Sequence, residues 1–221
     1  VRSLAKIEVV KTAAVAALVG ALACYPRLVH WPRPAYPIWY LEAVLLLGGF
    51  VLWAFVFAWH GQYTGRTVFN VRPGVGPITL VSVTGIVAGF MLHQFVDPAF
   101  RARTPEDYPT SLTEWLAMTL FLLAFNQLFL VFAPFAWALR LSKRSWLAIL
   151  FTVLFGLLVA VMKSRAAPAP ATGGMLGLIL IVRAAVSFLS VWIYARHGIV
   201  VTWWWGFLLQ TRHLFDLAGD S

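Results

Sequence analysis

Residues 146–162 read WLAILFTVLFGLLVAVM, a run with no charged side chain and a single hydroxyl, Thr152. It shows no alternation of period two, so it does not read as a barrel strand. An unbroken apolar run of this kind is a membrane helix, because only a helix or a closed barrel satisfies its own backbone inside a bilayer. Working outward, Ser142–Ser145 with Lys143 and Arg144 forms a tight basic turn before it, and a Pro/Ala/Gly linker from Ala166 to Gly174 follows it.

The same reading extends over the whole chain. Spans are expected at Ile7–Tyr25, Ile38–His60, Pro77–Phe95, Leu112–Leu141, Trp146–Met162, Met175–Ala195 and Ile199–Leu217. Pro26, Pro32, Pro34 and Pro37 forbid a helix across the first loop, where Arg27, His30, Trp31, Arg33, Trp39 and Tyr40 suit the headgroup level. Pro77 can open the third span because its missing N–H is not needed in a first turn. Asp97-Pro98 ends that span. Ser111 with Glu114 has capping-box spacing ahead of the fourth span, and Pro134 predicts a kink in it. Arg2, Lys6 and Lys11 ahead of a small-residue run also resemble a secretory signal, and Ala21-Leu22-Ala23-Cys24 approximates a lipoprotein box. The run is read as the first membrane helix.

Composition agrees with this reading. The 221 residues are 61% hydrophobic and 11% charged, where soluble domains have about 45–50% apolar and about 25% charged residues. A water-soluble enzyme and a disordered chain are excluded. The expected fold is all-α, a polytopic bundle of about seven spans forming one membrane domain over residues 1–221. The net charge of +9 resides in short loops, where it meets lipid phosphate rather than nucleic acid. With an inside N-terminus, the loops hold 9 Lys+Arg inside and 7 outside, a weak bias toward that orientation. The single cysteine, Cys24, excludes an internal disulfide and any multi-cysteine metal site.

Polar residues within the spans are the informative ones, since a charge at mid-helix costs about 2.5–3.5 kcal/mol on insertion scales. Arg183 lies near the middle of the sixth span and needs a polar partner. The candidates are Asn126, Gln127, Gln210, His213 and Asp216, and interhelical hydrogen bonding is the plain reading of such a network. Gly206, Gln210 and His213 fall on one stripe that a neighbouring helix can approach closely. His213 and Asp216 at i, i+3 supply two ligands, too few for a metal site, and no H-E-x-x-H is present. Ser82, Ser187 and Ser190 lack a G-x-S-x-G context. Trp203, Trp204 and Trp205 read as packing or lipid-facing aromatics.

Several phrases of the second half carry a family likeness. They are Asn126-Gln127-Leu128-Phe129, Leu139-Arg140, the run from Trp146 through Leu158, Trp192 through Ile199, and Gly206 through Gln210. Residues 110–217 resemble the CAAX-protease and bacteriocin-processing (CPBP, or Abi) family of intramembrane proteases. The resemblance implies three motifs, E-E-x-x-x-R, F-x-x-x-H and H-x-x-x-N/D, whose carboxylate and histidines activate a water. Placed on this chain, the paired glutamates fall on Asn126 and Gln127 and the arginine on Val131. The second motif keeps Phe155 but has Val159 for its histidine; the third has Gln210 for its histidine and Leu214 four residues on. A carboxamide or a valine cannot accept a proton near neutral pH.

The expected function is therefore non-catalytic: a pseudoprotease-like accessory or scaffold subunit of a membrane complex, or a binder of a membrane peptide or lipid. It would be a multi-pass protein of the bacterial cytoplasmic membrane, in contact with the bilayer and with other membrane subunits, and with no cofactor. One alternative is a divergent peptidase using Glu114, His213 or Asp216. The other is a pigment- or haem-binding subunit with His60, His93 or His213 as ligand. A transporter is poorly supported, as neither paired broken helices nor an inverted repeat is present.

Overall fold

The computed structural model describes residues 4, 6–31, 35–69, 72–166 and 173–219. Arg2, the run Pro32-Arg33-Pro34 and most of the Pro/Ala linker lie outside the described residues. Six helices are long and apolar enough to cross a bilayer, at Ile7–Val29, Ile38–Thr64, Val75–Phe95, Leu112–Ser142, Ser145–Ala166 and Gly173–His197. They are joined by a short helix at Asp97–Arg101 and followed by a broken seventh segment, Ile199–Gln210 and His213–Gly219. The described residues contain no strand, and the fold is an all-α membrane bundle.

The fourth span is the hub. It is 39% buried, against 17–22% for the other five, and its parts touch α1 (Ile7–Val29), α2 (Ile38–Thr64), α7 (Ser145–Ala166), α8 (Gly173–His197) and α9 (Ile199–Gln210). Small residues set how closely the outer helices approach. On α1, Ala13, Ala17, Ala21, Cys24 and Leu28 are the buried residues, spaced by three or four. A methyl group added at Gly49 of α2 would lie 3.8 Å from the Ala17 Cβ. On α3 (Val75–Phe95) the buried stripe is Val81, Gly85 and Gly89, packed on Trp205 and Leu208 of α9. Lipid offers hydrocarbon as good as leucine, so close packing of this kind is what distinguishes helix from lipid as a neighbour.

Three sequence expectations are corrected. Pro26 does not stop the first helix, which runs on to Val29; proline deprives one carbonyl of its partner, and a last turn at the membrane surface tolerates this. The second helix continues past His60 to Thr64, where Gly65 at φ 68 closes it in the left-handed region. Asp97-Pro98 ends the third span as expected, and a short helix, α4 (Asp97–Arg101), starts there. The fourth span is not disrupted at Pro134 alone: it widens into π-helical turns at Leu122–Asn126 and Leu128–Phe132 before α-geometry resumes in α6 (Ala133–Ser142). The wider turns sit where the proline ring would otherwise press on the preceding turn. The Leu123 carbonyl accepts the Trp203 indole N–H at 2.8 Å.

The seventh segment also breaks. α9 has 12 residues, about 18 Å at 1.5 Å per residue, against a hydrocarbon core of about 30 Å. Arg212 Nη1 donates to the Leu209 carbonyl at 2.7 Å, and Thr211 Oγ1 to that of Leu208 at 2.7 Å. Side chains thus take carbonyls left without partners at the helix end, and the chain restarts as α10 (His213–Gly219).

Charge divides between the two ends of the bundle. At the end holding the start of α1 lie Lys6, Lys11, Arg66, Arg72, Lys143, Arg144 and Arg196, with Glu8 the one carboxylate there among the described residues. The opposite end pairs its cations with acids: Arg27 with Glu114, Arg101 with Asp216, Lys163 with Asp107 and Arg212 with Asp97.

Candidate functional site

The positions onto which the resemblance would place its motifs lie on the fourth span and on helices α7, α9 and α10. Gln127 is buried, and its Nε2 would be 3.0 Å from a methyl at Gly206, so the glycine makes room for the amide. The Gln127 Oε1 is buried with no hydrogen-bond partner among the described residues. Asn126, the residue before it, is half-buried, and Val131 is buried. Phe155 meets Phe129 edge-on with centroids 5.5 Å apart, and Val159 is half-buried on α7. Gln210 ends α9 with its carbonyl accepting the Trp115 indole N–H at 2.9 Å. Leu214 follows, half-buried, in α10.

Arg183 does not join the partners named for it from sequence. It lies on the face of α8 toward α7, where Gly156 leaves space for Arg183 and Ser187. Its Nε is buried without a hydrogen-bond partner among the described residues.

His213 and Asp216 belong instead to a polar cluster at the acidic end. Asp97 is buried and binds through both oxygens, accepting from Tyr108 Oη at 3.0 Å and from Arg212 Nε at 3.0 Å. Arg101 pairs with Asp216 and stacks on the Tyr108 ring, 5.0 Å from its centroid. His93 Nδ1 lies 3.8 Å from Asp216 Oδ1. The buried His213 ring meets Tyr108 edge-on at 5.2 Å. Burial and the neighbouring Asp97 carboxylate hold the Tyr108 hydroxyl well above its ordinary pKa, so it stays protonated and donates.

Asp97, Arg101, Tyr108 and Arg212 were not among the site residues expected from the sequence. The signal was a charge immediately after an apolar run, Asp97, whose partner lies 115 positions on; the punctuation of Asp-Pro concealed it. With both oxygens of Asp97 engaged, the arrangement ties the end of α3 to the α9–α10 joint. Glu114 is likewise engaged: it caps its helix by accepting from Thr110 N at 2.9 Å, and it faces Arg27 at 3.6 Å.

The third histidine considered as a pigment or haem ligand, His60, is buried among rings, 4.8 Å from Tyr194 and 6.3 Å from Phe135. No group of three His, Cys, Asp or Glu able to hold a metal occurs among the described residues. Comparison of the chain with protein-family models, curated proteins and solved structures finds no match.

Proposed function

We propose that this protein is a non-catalytic accessory subunit of a membrane complex, built on a pseudoprotease-like bundle, and that Arg183 is the residue through which it engages its partner. The supporting observation is a charge deep in a span whose buried Nε has no hydrogen-bond partner among the described residues. Along α8, Arg183 lies about 15 Å from the helix start and about 21 Å from its end at 1.5 Å per residue. Its side chain does not reach either surface from there.

An unpaired guanidinium in hydrocarbon is costly, and a carboxylate at matching depth removes that cost. A partner helix bearing Asp or Glu supplies one. The amides at Asn126, Gln127 and Gln210, where the resemblance would put proton-transfer groups, support binding over hydrolysis. The same resemblance is our reason for assigning it to a bacterial cytoplasmic membrane.

Purification in mild detergent with mass spectrometry tests this reading. The wild-type chain is expected to bring down a membrane subunit, with recovery falling about tenfold or more in Arg183→Leu and partly restored in Arg183→Lys. A monodisperse, partner-free wild-type monomer would overturn it. So would cleavage of membrane peptides that is abolished by His213→Ala or Glu114→Gln, or a visible absorption band in the purified protein.

A further inference from the structure

A second place in the molecule, remote from Arg183, has the makings of a ligand site. At the basic end a cavity of about 440 Å³ is lined by His60, Arg66, Thr67, Arg196, His197 and Gly198. This falls within the range of about 300–1,000 Å³ usual for small-molecule sites. Its lining has two guanidiniums, two imidazoles and a hydroxyl, and no carboxylate.

The groups are held in place. Arg66 Nη1 donates to the carbonyls of Ala195 at 2.8 Å and Arg196 at 3.0 Å, which fixes the guanidinium against the end of α8. Arg196 stacks on Trp192, 5.3 Å from the ring centroid. The His60 ring is fixed by Tyr194, and its Nδ1 is buried without a hydrogen-bond partner among the described residues. Gly198, at φ 82, turns the chain directly into α9. The first-turn N–H groups at Val200 and Val201 have no carbonyl behind them in the helix. A helix start adds partial positive charge to the two arginines.

Donors without acceptors in a basic, partly enclosed cavity fit an oxyanion with several acceptor oxygens. We infer that this cavity binds a phosphate group, carried by an anionic lipid headgroup of the adjacent leaflet or present as a free phosphate. Arg66 and Arg196 supply charge-assisted hydrogen bonds, and His60 supplies a donor at the inner wall. The site does not depend on the accessory-subunit reading.

The test uses the full chain in phosphatidylcholine nanodiscs. In one arm the discs also contain phosphatidic acid, and retained lipid is counted by native mass spectrometry. In the other, inorganic phosphate is titrated and the unfolding temperature followed. Arg196→Gln removes a cavity cation; Arg144→Gln removes an exposed cation at the same end but outside the cavity. Saturable binding in the wild type, weakened about tenfold in Arg196→Gln and unchanged in Arg144→Gln, is expected. The arm in which it occurs identifies the source. Arg66→Lys keeps the charge but loses the fork and is expected to weaken binding severalfold, which decides the matter if Arg196→Gln does not fold. Equal losses in the cavity variants and Arg144→Gln, or no saturable binding in either arm, would overturn the inference.

Discussion

Asp97 shows how one side chain can hold a membrane protein together at its edge. It is 4% exposed and its two oxygens serve different elements, Tyr108 in the loop before the fourth span and Arg212 at the α9–α10 joint. Removing one member of such a pair leaves the other buried and uncompensated, at a cost of about 3–5 kcal/mol. Asp97→Asn is therefore expected to destabilise the folded protein by about 3 kcal/mol, and Tyr108→Phe by about 1 kcal/mol, measured by denaturant unfolding in detergent. A double-mutant cycle of Asp97→Asn with Arg212→Gln should recover much of the first loss, since the second change removes the stranded charge. Strict additivity would show that the pair contributes little. His93, His213 and Asp216 were visible in the sequence as polar residues near span ends. Their association with Asp97, Arg101 and Tyr108 was not, because it depends on contacts between segments far apart in the chain.

Glycine positions that look alike in the sequence act differently at the scale of the helix. At Gly85 of α3 an added methyl would lie 2.9 Å from Leu208 Cδ1 and 3.0 Å from its Cβ, while at Gly48 of α2 nothing lies within 4 Å. Gly85→Ala must push α3 from α9 or force Leu208 from its rotamer, and is expected to cost about 1–3 kcal/mol. Gly48→Ala meets no obstacle and gains helix propensity, up to about 1 kcal/mol. Thermal unfolding of the two variants beside the wild type checks both; a neutral Gly85→Ala would mean that the α3–α9 contact is loose. The spans themselves were legible, because long apolar runs admit little but helix. Their ends were not, since helices run past the hydrocarbon into interfacial turns such as Arg27–Val29 and Gly61–Thr64. The break after Gln210 was hidden for another reason: the bonds that permit it, from Arg212 to Leu209 and to Asp97, include one that only the folded bundle brings together.

For the molecule as a whole, the division of charge decides how it sits in a membrane. A simple count of Lys and Arg gives only a narrow preference, but the folded chain shows that the cations of one end are largely paired. Arg27, Arg101, Lys163 and Arg212 each have an acidic partner, whereas the end with Lys6, Lys143, Arg144 and Arg196 has Glu8 as its one described carboxylate. Orientation follows Lys and Arg in short loops near the spans rather than net charge. Yet an unpaired basic surface also gains about 1 kcal/mol per Lys or Arg from an anionic cytoplasmic leaflet. Both effects favour the same end, so the basic end is expected to face the cytoplasm. Cys24 is buried and can be changed to alanine, after which Lys143→Cys and Glu106→Cys mark opposite ends at exposed positions. In intact cells a membrane-impermeant maleimide should label Glu106→Cys, and should label Lys143→Cys only after permeabilisation. The reverse pattern would place the basic end and its cavity outside, facing a leaflet whose charge is not what these arginines would be matched to.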